Sequence, residues 1–206
     1  GALTLAPNGT GAVTIVNAAG LILATSTMGG TFSGTATNGH ITQSGDLTIT
    51  GAATFITATT SKNIILDQNN EFASSVTMKA GTGGSDAFTD ITFVDTNGVD
   101  LVSSTPSAGD LFIDAANNLA VGGNLSITAT AGNITQSGAL DIEGTTTLVT
   151  LGQGAHIDLA ANGTGNAFTE KLLITTNETS SNANDAYATI HGGTTDLKIG
   201  LSTIEG

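Results

Sequence analysis

Apolar residues alternate with Thr or Ser in short runs along the whole chain. Typical runs are Leu3-Thr4-Leu5, Val13-Thr14-Ile15, Leu47-Thr48-Ile49 and Leu125-Ser126-Ile127. Because successive side chains of a strand point to opposite faces, each run places its apolar residues on one side and its hydroxyl residues on the other. Thr, Val and Ile also favour strands, since their branched side chains pack well on a pleated surface. The pattern predicts many short strands of about three to five residues.

Turn signals separate these runs. Asn-Gly or Gly-Gly pairs stand at Asn8-Gly9, Asn38-Gly39, Asn97-Gly98 and Gly192-Gly193. Gly and Asn tolerate the positive φ angles that tight turns require. No stretch combines a sustained apolar period of 3.6 residues with helix caps. We therefore expect an all-β chain with almost no α-helix.

The sequence also repeats itself. Gly39-His40-Ile41-Thr42-Gln43-Ser44-Gly45 returns 93 residues later as Gly132-Asn133-Ile134-Thr135-Gln136-Ser137-Gly138. Residues 197–206 resemble residues 21–30, so a third copy begins near the end. We interpret residues 1–206 as a single solenoid segment made of about two tandem repeats of roughly 93 residues plus the start of a third. A slice of a longer array is expected to look like this, since complete repeat domains usually end in atypical capping repeats.

Two β architectures compete for this pattern. A sandwich would have longer strands joined by hairpins, whereas the runs here are short, aromatic residues make up 4% of the chain and Trp is absent. In a solenoid, each short strand stacks on its equivalent in the next turn, and the inward side chains form ladders of Val, Ile and Leu. We predict a right-handed parallel β-helix, or β-solenoid, with turns of about 20–24 residues and therefore about nine turns.

Charge is scarce and strongly acidic. The chain has 4 Lys and Arg residues against 17 Asp and Glu residues, for a formal net charge of −13. Nucleic acid and anionic membranes bind proteins through basic residues, so neither fits as a partner. Membrane insertion is not expected either, because Gly, Thr, Asn and Ser interrupt every apolar run well short of the roughly 18–20 residues of a span. Self-repulsion should oppose lateral bundling, and calcium should relieve it.

Three motifs carry a family likeness. They are the segment 132–144, the apolar segments at 64–67 and 157–160, and the Ser-Thr segments at 26–30 and 202–206. They resemble the repeats of large bacterial exoproteins of the filamentous-haemagglutinin-like and autotransporter-passenger type. The resemblance implies a right-handed parallel β-helix, export from a Gram-negative cell, an extracellular or cell-surface location, and a role in adhesion, biofilm matrix or surface fibres. Host or cell-surface glycans would then be candidate partners.

Acidic residues provide the one candidate metal site. Asp86, Asp90, Asp95 and Asp100 lie in a region rich in Gly and Asn, and carboxylate oxygens on loops suit calcium. However, Gly83-Gly84-Ser85-Asp86 does not complete the Gly-Gly-x-Gly-x-Asp calcium repeat, so solvated surface carboxylates remain the alternative. No cofactor is predicted, and calcium is the one candidate ion.

The remaining chemistry is sparse. The histidines, His40, His156 and His191, have no zinc-site spacing, and the repeat partner of His40 is Asn133. No catalytic constellation is visible, so we expect no enzyme. A polysaccharide lyase would need basic residues to bind an acidic substrate, and the chain has only 4 of them. An ice-binding face would repeat Thr-x-Thr pairs at a constant spacing, and the pairs here do not recur in that way. The Gln-Ser pairs that mark the repeat are expected to be structural, with side chains stacked in ladders.

Two main functions fit these observations. The first is a structural and adhesive repeat segment of a secreted bacterial surface exoprotein, forming an elongated rod or extracellular fibre. The alternative is a self-assembling filament subunit that stacks end to end, because a solenoid exposes unpaired strand edges at its ends. Both make the chain itself, or neighbouring repeats, the expected partner. A polysaccharide-active enzyme and an ice-binding protein are less favoured hypotheses.

Overall fold

The computed structural model describes residues 1–80, 88–102, 106–114, 119–161, 165–179 and 185–205. They form a parallel β-solenoid of about seven turns with essentially no helix, which confirms the predicted fold class. The strands, in chain order, are β1 Val13–Asn17, β2 Leu21–Leu23, β3 Ser26–Met28, β4 Phe32–Ala36, β5 Ile41–Gln43, β6 Leu47–Ile49, β7 Ala53–Thr57, β8 Lys62–Phe72, β9 Val76–Ala80, β10 Phe88–Asp95, β11 Val99–Val102, β12 Asp110–Asp114, β13 Leu119–Val121, β14 Leu125–Ala129, β15 Ile134–Gln136, β16 Leu140–Ile142, β17 Thr146–Gln153, β18 Ile157–Leu159, β19 Ala167–Phe168, β20 Lys171–Asn177, β21 Ala188–Ile190 and β22 Lys198–Ile199.

Two long sheets and shorter corner strands make up the walls of the solenoid. The first face stacks β1, β4, β7, β9, β12, β11, β15, β18 and β21. The second face stacks β2, β5, the first half of β8, β10, β14, β17, β20 and β22. In the early turns, β3, β6 and the second half of β8 form a third face. In the later turns, β13, β16 and β19 take a corresponding place.

Some turns are longer than the sequence pattern suggested. On the second face Leu21 pairs with Ile41 and Ile41 with Ile64, which gives turns of 20 and 23 residues. Ile91 then pairs with Leu125, a turn of 34 residues. The prediction of about nine turns is therefore too high, because alternation locates strands but does not count the residues that leave the wall between them.

The sequence repeat is out of phase with the faces of the solenoid. Ile41 belongs to β5 on the second face, whereas its repeat partner Ile134 belongs to β15 on the first face. The change occurs where β12 inserts between β9 and β11, although β12 follows β11 in the chain. Equivalent strands of the two copies, such as β5 and β15, can therefore lie on different faces of the solenoid.

The interior is a continuous column of aliphatic and phenylalanine side chains. The residues that alternation predicts to face inward, such as Leu47, Ile49, Leu125 and Ile127, are fully buried. In the early turns four rings form a stack, with centroids 5.4 Å apart for Phe32 and Phe55, 6.1 Å for Phe55 and Phe72, and 5.4 Å for Phe72 and Phe93. Among the described residues no helix has the length and apolar character needed to cross a membrane.

Glycines stack at one corner where backbones of adjacent turns approach closely. A Cβ on Gly51 would lie 2.5 Å from the carbonyl carbon of Gly30 in the turn below. A Cβ on Gly144, the repeat partner of Gly51, would collide in the same way with the backbone of Gly123. Gly144 also donates its N–H to the carbonyl oxygen of Gly123 at 2.9 Å. Both copies of the repeat therefore require a residue without a side chain here.

Candidate functional site

Polar side chains at one corner of the solenoid tie consecutive turns together. The Nδ1 atom of His40 accepts the N–H of Asn63 at 2.9 Å, and Oδ1 of Asn63 accepts the N–H of Asp90 at 3.3 Å. Oδ1 of Asp90 then accepts the N–H of Asn124, and Oδ1 of Asn124 accepts the N–H of Thr145, both at 2.9 Å. We call His40, Asn63, Asp90 and Asn124 the outer corner ladder. Each member satisfies a backbone donor that the bend of the chain leaves without a strand partner.

The second copy of the repeat contains the same contact. Oδ1 of Asn133 accepts the N–H of His156 at 3.0 Å. Asn133 is the repeat partner of His40, and His156 stands 93 residues after Asn63. A histidine and an asparagine thus occupy equivalent positions because each offers one acceptor atom in the same place. The role of His40 in the structure is therefore that of a hydrogen-bond acceptor.

A second ladder lies at a buried corner and runs in the opposite sense. Here the side chain of the later turn accepts an N–H from the earlier turn. Ser26 Oγ accepts from Leu5 at 2.9 Å. Oδ1 of Asn70 accepts from Leu47 at 3.0 Å, and Oδ1 of Asp95 accepts from Phe72 at 3.2 Å. We call Ser26, Asn70 and Asp95 the buried corner ladder.

Later turns repeat the buried contacts that Ser26 and Asn70 make in the early turns. Ser202 Oγ accepts the N–H of Ile174 at 3.1 Å, as Ser26 does for Leu5. Ser26 and Ser202 are the residues that sequence comparison pairs at the start of the third copy. Oδ1 of Asn166 accepts the N–H of Leu140 at 3.0 Å, as Asn70 does for Leu47.

The Gln residues that mark the repeat belong to this buried corner. The amides of Gln43 and Asn70 form a reciprocal pair, with N···O distances of 2.8 and 3.0 Å. Gln136 and Asn166 form the same reciprocal pair in the second copy. Each Asn also donates to a carbonyl oxygen of the following turn, Val94 for Asn70 and His191 for Asn166. These contacts fit a structural part for the Gln-Ser motif, since buried amides are stable only when their hydrogen bonds are satisfied.

Asp95 is the ionisable member of the buried ladder. Its side chain is 3% exposed, and it stands in register with Asn70 on the strand below. Burial raises the pKa of Asp95 to about 6, while N–H groups of Phe72 and Asn97 that donate to the carboxylate partly oppose the rise. A carboxyl group therefore occupies a position that Asn fills one turn earlier.

The structure separates the calcium candidates. Asp90 lies in the outer corner ladder and Asp95 in the buried one. Asp100 lies on the first face, where its two oxygens accept the hydroxyls of Thr135 and Ser137, each at 2.9 Å. Asp86 lies outside the described residues. Within the described ranges no group of three or more His, Asp or Glu side chains is arranged to hold a metal ion.

The other two histidines also lie at bends of the chain. The ring of His156 stacks on Tyr187, with centroids 4.4 Å apart and an interplanar angle of 10°. Nδ1 of His191 accepts the N–H of Gly193 at 3.2 Å. Each of the three histidines therefore has a local contact within the wall of the solenoid.

Exposed apolar side chains concentrate at the two ends of the solenoid. Among the described residues, every large apolar residue that is exposed lies in the first or last turn, except Leu151. We call Val16 and Ile22, with the open depression of about 430 Å³ beside them, the amino-terminal end surface. The carboxy-terminal end surface is formed by Tyr187, Leu197, Ile199, Leu201 and Ile204. Leu201 is 93% exposed, the highest value among these residues.

Stacked parallel strands, one continuous core and repeated corner ladders define a repeat protein with a β-solenoid fold. The chain belongs to a family described as repeats of unknown function, DUF5649, whose model matches residues 10–79 and 108–175. Comparison with curated proteins and with solved structures gave no match.

Sequence reasoning missed the partners of the Gln residues. Asn70 and Asn166 stand 96 residues apart, so they fall out of line with the offset of 93 that relates Gln43 to Gln136. Allowing the three extra residues that follow Leu159 in the second copy aligns Asn166 with Asn70, but this alignment does not show that the two Asn residues contact Gln136 and Gln43. The outer corner ladder could not be recognised in the sequence for a different reason. Its members are His, Asn and Asp, which share only the presence of an acceptor atom.

Proposed function

We propose that this chain is a structural rod segment of a secreted bacterial surface exoprotein, in which solenoid turns extend a fibre and present loops for adhesion or for a biofilm matrix. The observation that carries the proposal is the concentration of exposed apolar residues at the two end surfaces. Along the body of the described solenoid, large apolar residues other than Leu151 are buried or half-buried, so the ends are the surfaces suited to contact further turns.

The strand edges support the same proposal. Among the described strands, β1 pairs with β4 alone and β21 with β18 alone, so the other edge of each is without a described strand partner. Unpaired edges are templates for further strands. The likeness of the repeats to those of large bacterial exoproteins supports the surface location, and host or cell-surface glycans are the partners proposed for an adhesive rod.

End-to-end assembly of separate chains is the second candidate, and the same end surfaces favour it. Electron microscopy of the purified chain at low and high concentration separates the two. Isolated short rods at both concentrations, and rods of doubled length when two copies are joined in one polypeptide, are the expected result for a repeat segment. Long threads of uniform width from the single chain would instead support the filament subunit.

Matched variants sharpen this test. Leu201→Glu places a charge on the carboxy-terminal end surface, whereas Leu151→Glu places one on an equally apolar residue of the body. If threads form, L201E should shorten them and L151E should not. Irregular clumps that respond equally to both variants would contradict both candidates. Labelling of intact source cells by an antibody against the chain tests the surface location, and label found only after lysis would overturn it.

A further inference from the structure

On the second face of the solenoid, the residues that point outward from the middle of the strands are uncharged along almost the whole length of the face. The central outward residue of each strand on the second face pairs in register with that of the next strand. From β2 to β20 these residues are Ile22, Thr42, Ile65, Thr92, Ser126, Thr147 and Leu173. A second row runs beside them from β10 to β20 and consists of Val94, Thr128, Val149 and Thr175. We call these two rows the neutral face.

The charged residues of this wall stand at its borders. Lys62 and Lys171 begin their strands, and Asp90 lies in the outer corner ladder. Asp67 lies on the opposite border, after the paired part of β8. The first face differs in its later turns, because Asp100, Asp110 and Asp158 occupy outward positions on it. An uncharged centre with charges at the rim is the usual anatomy of a protein contact surface.

We propose that the neutral face is a lateral docking surface for a second copy of this chain. With a net charge of −13, two copies repel each other wherever their acidic surfaces meet. The neutral face keeps an uncharged centre through both the early and the later turns, so two copies can approach along it without bringing carboxylates together. Its Thr, Val and Ile side chains are the types that interdigitate when two β-sheets stack about 10 Å apart.

The size of the face predicts a weak pair. The first row crosses seven strands spaced about 4.8 Å apart and is about 29 Å long, whereas the second row crosses four strands and is about 14 Å long. With each row about 7 Å wide, the footprint is about 300 Å² per copy, less than half that of a stable interface. We expect a reversible dimer that dissociates in the high micromolar range. In a longer array the same contact would be repeated along the axis, and its strength would grow with the number of repeats.

A pair of matched variants tests this surface by sedimentation velocity across a concentration series. Thr147→Lys introduces a charge within the two-row part of the neutral face, and Thr77→Lys introduces the same charge on the first face beside Lys79 and Asp114. We expect the wild-type chain and T77K to dimerise alike, and T147K to raise the dissociation constant at least tenfold. Equal behaviour of T147K and T77K, or a wild-type chain that stays monomeric at millimolar concentration, would overturn the proposal.

Cross-linking separates lateral pairing from end-to-end assembly, so this inference can fail or succeed independently of the proposed function. The chain contains no cysteine, and two copies related by a twofold axis bring the centres of their contact surfaces together. Ser126→Cys, near the centre of the neutral face, should give a disulfide-linked dimer on mild oxidation, whereas Thr77→Cys should not. If a monomeric chain instead adsorbs to ice, and T147K abolishes this adsorption, the neutral face binds ice rather than a second copy of the chain. That result would overturn the proposal.

Discussion

At the scale of single residues, the two copies of the repeat keep a hydrogen-bond acceptor at a corner position even where the residue type differs. His40 and Asn133 differ in size and charge properties, yet each accepts an N–H from the next turn. Sequence comparison therefore registered a mismatch where the structure has an equivalence. The same applies to Ser26, Asn70 and Asp95, which share one accepting oxygen in the buried ladder.

The equivalence of positions 40 and 133 leads to a reciprocal prediction. His40→Asn keeps an acceptor and should change the free energy of unfolding by less than about 0.5 kcal/mol, as should Asn133→His. His40→Ala leaves the N–H of Asn63 to solvent and should cost about 1 kcal/mol. Urea unfolding followed by circular dichroism measures these differences. If H40N destabilises as much as H40A, the histidine does something other than accept this hydrogen bond.

At the scale of elements, alternation predicted the strands well because each wall strand is half buried. The inward residues of Leu47–Ile49 and Leu125–Ala129 are those that the pattern placed in the core. The insertion of β12 between β9 and β11 could not be predicted, since its sequence alternates like that of any other wall strand. The contacts that Asn70 and Asn166 make with Gln43 and Gln136 could not be predicted either, because aligning the two copies pairs equivalent residues but does not show which residues meet between turns.

The glycine corner gives a prediction at the same scale. Gly144→Ala and Gly51→Ala each force a Cβ into the backbone of the turn below, so the stacked strands must move apart. Overpacking of this kind typically costs about 1–3 kcal/mol. Gly11→Ala is the matched control, because a Cβ there would meet no atom within 4 Å. Thermal unfolding should show a lower midpoint for G144A and G51A and a nearly unchanged one for G11A; equal midpoints would mean that the turns are not closely stacked at this corner.

At the scale of the whole molecule, the acidic balance and the buried ladder both make stability depend on pH. Burial raises the pKa of Asp95 from 3.8 to about 6, so the folded chain binds a proton there more readily than the unfolded chain does. The contribution of Asp95 to stability is therefore complete below about pH 4 and is lost as the pH rises through about 6. A shift of about two pKa units corresponds to about 3 kcal/mol. The net charge of −13 acts in the same direction, since protonation of carboxylates reduces self-repulsion.

Asp95→Asn separates the buried carboxyl from the general effect of charge. Asn70 already occupies this position one turn below and accepts the equivalent N–H, so the substitution should fit. We expect urea unfolding midpoints of the wild-type chain to fall between pH 5 and pH 8. D95N should be less sensitive to pH and more stable than wild type by about 2–3 kcal/mol at pH 8. Asp67→Asn removes the same unit of charge from an exposed position and should keep the wild-type slope. If D67N flattens the profile as much as D95N does, the pH dependence comes from net charge, and the buried ladder tolerates an ionised Asp95.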